Sequence, residues 1–123
     1  MRYLLDTNIL IHSMEDRLSP PAADILSNRD NELVVSLISL WEMTIKSALG
    51  KLTVPGDIDA ELRNLDITTL SLERAHINEY ANLPLLHRDP FDRMLIAQAR
   101  VERLTLVTRD ANMMRYDVKV MNA

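Results

Sequence analysis

The chain has 123 residues, 47% of them hydrophobic, a net charge of −4 and no cysteine. It holds enough apolar material for one domain that buries about two thirds of its unfolded surface, which excludes disorder, while the lack of cysteine excludes disulfides, thiolate metal sites and cysteine nucleophiles. Gly50 and Gly56 are too few for a glycine-rich phosphate loop, and the acidic balance with 4% aromatic residues argues against a broadly basic or base-stacking nucleic-acid surface.

The opening MRYLLDTNILIHSM is apolar but broken at Asp6, Thr7 and Asn8, unlike the continuous apolar region of a signal peptide. No run approaches the ~18 apolar residues of a membrane span, so a cytoplasmic location is expected. RYLL predicts a strand at 2–5, with a helix from about Thr7. Ser19 and Pro20 mark the start of a second helix that ends near SNRDN. LVVS predicts a strand at 33–36. A long helix from about Ile38 to Leu49 stops at Gly50, its C-terminal cap. Ile58, Leu62 and Leu65 have helical spacing, ITTL predicts a third strand at 67–70, and Ser71 is the expected cap of the helix after it. A helix from Pro90 to Glu102 leads into LTLVT, the fourth strand, and YDVKV is the candidate fifth. Strands alternating with helices imply an α/β fold, a central parallel sheet of four or five strands flanked by helices, in one domain over 1–123.

Within HRDPFDRMLIAQA, residues 87–99, two aspartates precede a helical face. Asp89, ahead of Pro90, suits an N-cap, and Asp92 suits the positive end of the helix dipole. Yet Asp92 shares its face with Leu95, Ile96 and Ala99, so a carboxylate stands at the edge of a core and needs a partner. Other acids raise the same question. Asp6 ends RYLL and Asp110 ends LTLVTR, where ligands bind in open parallel sheets, although either also suits a cap. Glu42 fits a capping box with Ser39 and could pair with Lys46, yet it shares a face with Ile38, Ile45 and Leu49.

Asp6, Glu42, Asp92 and Asp110 can therefore meet at one sheet edge. Two carboxylates ~5 Å apart repel by roughly 3 kcal/mol at an effective dielectric of about 20, so four stay ionised together only with a cation. An all-oxygen site suits Mg²⁺ or Mn²⁺, ions that hydrolyse phosphodiesters.

The segments LLDTNIL, SLISLWEMTIKSALGKL, HRDPFDRMLIAQA and LTLVTRD, in this order over nearly the whole chain, resemble those of the PIN-domain proteins, specifically the VapC-type toxins of bacterial toxin–antitoxin pairs. The resemblance implies a PIN-like fold and a metal-dependent endoribonuclease whose four acids match Asp6, Glu42, Asp92 and Asp110. It also implies an RNA substrate, a cognate antitoxin and a homodimer. Asp89 is an extra acid of this motif, a further ligand or a cap. Thr7, Asn8 and Thr108 stand beside the acids, where they could orient a ligand or water, although Thr108 also reads as an ordinary strand end. Lys46, Lys51, Arg88, Arg93 and Arg109 flank the motifs and could hold phosphates or be solvated surface charge. His87 reads as a loop residue, an RNA contact or a neighbour of the metal; His12 and His76 read as structural or surface residues.

Two other classes fit parts of the pattern. A receiver-type phosphoacceptor domain is an α/β fold of this size with an acidic pocket, but Asp57, the acid at a suitable distance, follows VPG rather than an apolar strand. A non-catalytic binding module with the PIN fold is expected to lack some acids, and all four are present.

Overall fold

Leu4 and Leu5 are neighbours, both fully buried, and they belong to different cores. Successive side chains of a strand point to opposite faces, so such a pair requires a sheet covered on both sides. The computed structural model, which describes residues 1–123, has that architecture. Five strands, β1 (Arg2–Leu5), β2 (Glu32–Ser36), β3 (Ile67–Leu70), β4 (Thr105–Thr108) and β5 (Val120–Asn122), form one parallel sheet in the order β3-β2-β1-β4-β5. Six helices accompany them: α1 (Thr7–Met14), α2 (Pro20–Ser27), α3 (Leu37–Ala48), α4 (Ile58–Asn64), α5 (Arg74–Asn82) and α6 (Pro90–Glu102). No helix is long and apolar enough to cross a membrane.

One core joins Leu5, Leu33, Val35 and Val107 of the sheet to Ile9 and Leu10 of α1, Ile25 and Leu26 of α2 and Leu62 of α4. The other joins Leu4, Val34 and Leu106 to Leu95, Ile96 and Ala99 of α6. Each fully buried Leu or Ile is worth about 1.5–3 kcal/mol and a helix cap about 1, so the two cores dominate the fold. The chain leaves β1 towards β2 and β3 and returns on the other side of β1 as β4. That reversal opens a crevice beyond the carboxyl ends of β1 and β4, the usual ligand position in such sheets. Leu5 lies beside Val107, and the Asp6 N–H donates to Val107 O at 3.0 Å, so Asp6 emerges next to Thr108.

Local signals hold for most elements, and the exceptions have tertiary causes. β1, β3 and α6 have the predicted bounds, and Gly50, at φ +71°, follows α3 as the left-handed residue that ends a helix. α3 starts at Leu37, and Ser36 Oγ accepts the Ile38 N–H at 3.0 Å. The Ser39–Glu42 capping box that the spacing also allowed is therefore absent, because both residues lie within the helix. Leu49 is 63% exposed rather than on a buried face, since α3 ends before it can be covered. Ser71 caps no helix: α5 starts at Arg74, and the Glu73 N–H donates to the His76 ring at 3.0 Å. Asp57 is the N-cap of α4, accepting the Asp59 N–H at 2.9 Å, and follows no strand, which removes the receiver reading.

The fifth strand falls at Val120–Asn122 rather than at YDVKV, because Tyr116 is drawn into the core. Its hydroxyl accepts the backbone N–H groups of Leu86, at 3.1 Å, and His87, at 2.9 Å, together with Arg93 Nη1 at 3.2 Å. Arg93 is only 7% exposed, also donates to Pro84 O at 3.1 Å, and lies over the Tyr80 ring at 4.8 Å. This network ties the 84–89 segment to α6. We expect Tyr116→Phe to lower stability by about 1–3 kcal/mol, the cost of leaving donors without an acceptor in a buried setting. Urea unfolding checks this; an unchanged midpoint would show that water replaces the hydroxyl.

Candidate active site

Nine residues, none of them hydrophobic, line a cavity of about 200 Å³ at the crevice: Asp6, Thr7, Asn8, Glu42, Lys46, His87, Asp89, Asp92 and Asp110. They come from the end of β1, the start of α1, the middle of α3, the connection before α6, the start of α6 and the turn after β4. All four acids singled out in the sequence are brought together, with Asp89 as a fifth.

Asp6 occupies the position before α1, yet its side chain makes no capping hydrogen bond. Instead Oδ2 accepts the hydroxyl of the fully buried Thr108 at 2.8 Å, and Thr108 Oγ1 accepts the Asp110 N–H at 3.0 Å. One threonine thus fixes the acids that follow β1 and β4. Glu42 is 4% exposed and doubly bonded, with Thr7 Oγ1 at 2.9 Å from Oε1 and Lys46 Nζ at 2.7 Å from Oε2. Thr7 Oγ1 is also 2.8 Å from Ser39 Oγ, and a hydroxyl has one proton, so Thr7 donates to the carboxylate and accepts from Ser39. Asp92 Oδ2 lies 2.9 Å from His87 Nε2, and Asp110 Oδ1 accepts the Asn112 N–H at 2.8 Å. Asp89 Oδ1 caps α6 through the Phe91 and Asp92 N–H groups, at 2.9 and 3.3 Å, while its side chain still lines the cavity.

The basic residues divide. Lys46 lines the cavity, and Arg109 lines an adjoining pocket of about 240 Å³ with Asp6, Asn8, Ile9, His12 and Asp110. Arg88 and Lys51 are exposed outside both. Arg93 corrects an expectation: it points into the protein, because Tyr80, Tyr116 and the carbonyl of Pro84 together satisfy it there, and it does not face a phosphate path. Two histidines come closer to the acids than sequence reasoning placed them. His12 shares a helical face with Asn8 at i+4, a signal that could have found it. Its place beside the third acid motif leaves His87 open as a neighbour of the metal, but in a connection without periodicity nothing local fixes where its ring points.

The cost of crowding acids falls on two of them. Burial pushes the Asp6 carboxyl up to about 6, against the Thr108 hydrogen bond that favours its charge, with Glu42 and Asp110 adding repulsion. Burial also pushes Asp92 up to about 7, opposed by its bond to His87 and reinforced by Asp6, Asp89 and Glu42. Lys46 is held above its ordinary value by the bond to Glu42. The donor set fits a hard divalent cation: carboxylate oxygens in a wholly polar cavity, with one oxygen each of Asp92 and Asp110 free of hydrogen bonds within the chain.

Comparison with known proteins adds the family context. The family model described as PIN domain matches residues 3–119. No curated protein matches the chain. Among solved structures it is similar to VapBC2 from Rickettsia felis bound to a DNA fragment from its promoter, with a TM-score of 0.74 and 19% identity over 98% of each chain. It is similar to VapBC-1 from nontypeable Haemophilus influenzae, with a TM-score of 0.68 and 22% identity over 99% of this chain and 98% of that one. VapBC-5 from Mycobacterium tuberculosis, of the VapBC family of toxin–antitoxin systems, gives 0.65 and 20% over 99% and 98%. At these identities the likeness concerns the fold.

Asp6 and Asp92 both bind a proton more readily in the folded chain than in the unfolded one. Each therefore costs stability above its raised pKa, and the cost fades as pH falls from about 6 or about 7 towards 3.8. In chelator we expect Asp6→Asn to melt above wild type at about pH 8, and the gap to narrow towards about pH 5 as the acids take up protons. Thermal melts across that range check it. A mutant that melts lower throughout would make Asp6 a net stabilising hydrogen-bond acceptor.

Proposed function

The chain belongs to the PIN-domain family, and from that premise we propose that it is a metal-dependent endoribonuclease, the toxin of a toxin–antitoxin pair. The observation that carries this reading is the convergence of Asp6, Glu42, Asp92 and Asp110 in one polar cavity at the reversal point of the sheet. Asp6, Asp92 and Asp110 would hold Mg²⁺ or Mn²⁺, with Asp89 through its second oxygen and Glu42 where Lys46 gives way. When bound, such an ion supplies activation of water and offsets charge on the attacked phosphodiester.

The chain's own residues do the rest. Thr108 and Thr7 hold Asp6 and Glu42 in place, so the carboxylates need no reordering when RNA arrives. Lys46 and Arg109 bring positive charge to an otherwise acidic crevice, where they would contact phosphates, and Asn8 offers an amide beside them; Arg88, exposed outside both pockets, would meet only RNA that extends beyond them. An antitoxin partner is supported by the VapBC complexes among the structural relatives. A homodimer follows from the family resemblance; an apolar cleft of about 250 Å³ that includes Trp41, 58% exposed, with Phe91 and Met94, is a surface that gains by being covered, by a second copy or by the antitoxin. A cytoplasmic location belongs to the same proposal.

Cleavage of RNA by the purified protein should need added Mg²⁺ or Mn²⁺ and stop in chelator. Asp6→Asn and Asp92→Asn should each reduce the rate by about 100-fold or more, beyond the loss typical of a group that only supports a ligand. Asp89→Asn keeps a capping side chain and should cost far less. RNA bound but never cut, with or without metal, would favour the non-catalytic binding module.

A further inference from the structure

Two clusters bring a histidine nitrogen and two carboxylate oxygens within 4.8 Å of one another: Glu73, His76 and Glu102, and His87, Asp92 and Asp110. Their hydrogen bonds separate them. His76 is fully buried and its Nδ1 accepts the Glu73 N–H at 3.0 Å, so the neutral ring must carry its proton on Nε2, which faces Glu102 Oε2 at 3.1 Å. A nitrogen that keeps its proton has no lone pair for a cation. Gln98 Nε2, 3.3 Å from Nδ1, closes the other side of the ring. That cluster is a structural lock between α5 and α6.

His87 differs from His76 at its other ring nitrogen. Its Nε2 lies 2.9 Å from Asp92 Oδ2, while Nδ1 has no hydrogen-bond partner in the chain, and the side chain is 19% exposed. Without a cation, the 2.9 Å contact with Asp92 needs a proton between the two atoms. Nothing in the chain fixes the ring's tautomer, so a cation can displace that proton while the ring keeps one on Nδ1, towards water, and the Nε2 lone pair is then freed among the carboxylates. The backbone is held independently of the ring, through the His87 N–H bond to Tyr116 Oη at 2.9 Å.

We propose that His87 is a metal ligand through Nε2, making with Asp92 and Asp110 a mixed nitrogen–oxygen site that favours first-row transition ions over Mg²⁺. This rests on the ribonuclease reading only in placing the ion in the same cavity. Mg²⁺ demands oxygen ligands and sheds water reluctantly, whereas an imidazole nitrogen raises affinity along the series from Mn²⁺ to Co²⁺. An all-carboxylate cavity has much less reason to discriminate. His87 therefore sets which ion the site holds, a role that acid motifs alone do not supply.

Calorimetric titration of chelator-treated protein with MgCl₂, MnCl₂ and CoCl₂ tests the proposal. Affinity should rise in that order. His87→Gln should weaken Mn²⁺ and Co²⁺ by about 10- to 100-fold and leave Mg²⁺ nearly unchanged. Pulsed electron paramagnetic resonance of the Mn²⁺ protein should show coupling to a histidine nitrogen that His87→Gln abolishes. No nitrogen coupling in wild type, coupling that survives in His87→Gln and so comes from His12, or equal weakening of all three ions would each overturn it. RNA cleavage by a protein whose Mn²⁺ lacks nitrogen coupling would sink this inference and leave the ribonuclease reading standing. Coupling in a protein that cuts no RNA would do the reverse, and failure to bind any of the three ions would overturn both.

Discussion

The Thr108 hydroxyl, donating to Asp6 at 2.8 Å, joins the ends of the two strands between which the sheet reverses direction. Because β1 and β4 are adjacent and parallel, Asp6 and Asp110 must emerge on the same edge, and one buried hydroxyl sets their separation. The other acids are placed relative to that pair. Glu42 arrives on α3 and is steered by Thr7, the residue next to Asp6; Asp92 arrives on α6, which packs against the same sheet. Burial makes each such bond matter, since an unpaired polar group in this setting costs more than a bond gains.

Several residues serve folding and the site at once. Asp89 caps α6 with one oxygen and presents the rest of its carboxylate to the cavity. Lys46 forms an i,i+4 pair with Glu42, worth about 0.3–0.5 kcal/mol on an exposed helix, yet here its partner is 5% exposed and stands among other acids. The pair therefore does more to balance charge in the crevice than to hold the helix. Arg93, by contrast, is a basic residue beside the third acid whose bonds are all structural, and with Tyr116 it holds the segment that carries His87.

The protein thus accepts local instability at its candidate site. Asp6 and Asp92 are both raised well above the ordinary carboxylate range, mainly by burial, while two apolar cores on either side of the sheet supply the stability that tolerates them. The one buried side-chain atom left without a partner, Gln98 Oε1, lies beside the His76 lock rather than at the crevice. At the candidate site every strongly buried polar side chain is bonded, so Asp6 and Glu42 are fixed by their partners although they stand among other acids.

Periodicity and punctuation sufficed for the strands, most helix bounds and the alternation that forces a parallel sheet, because each depends on residues within a few positions of one another. They also sufficed to find the four acids, since a carboxylate at a strand end or on an apolar face is a local anomaly. What sequence left open was decided by contacts across 29 to 102 positions, such as Thr108 with Asp6 and Tyr116 with the 86–87 backbone. Those contacts turned Asp6 from a possible cap into a buried acceptor, took Arg93 out of the phosphate path, displaced the last strand from YDVKV and brought His87 against Asp92. Side-chain direction in an irregular connection follows from which distant group satisfies its backbone, and only the assembled structure fixes that.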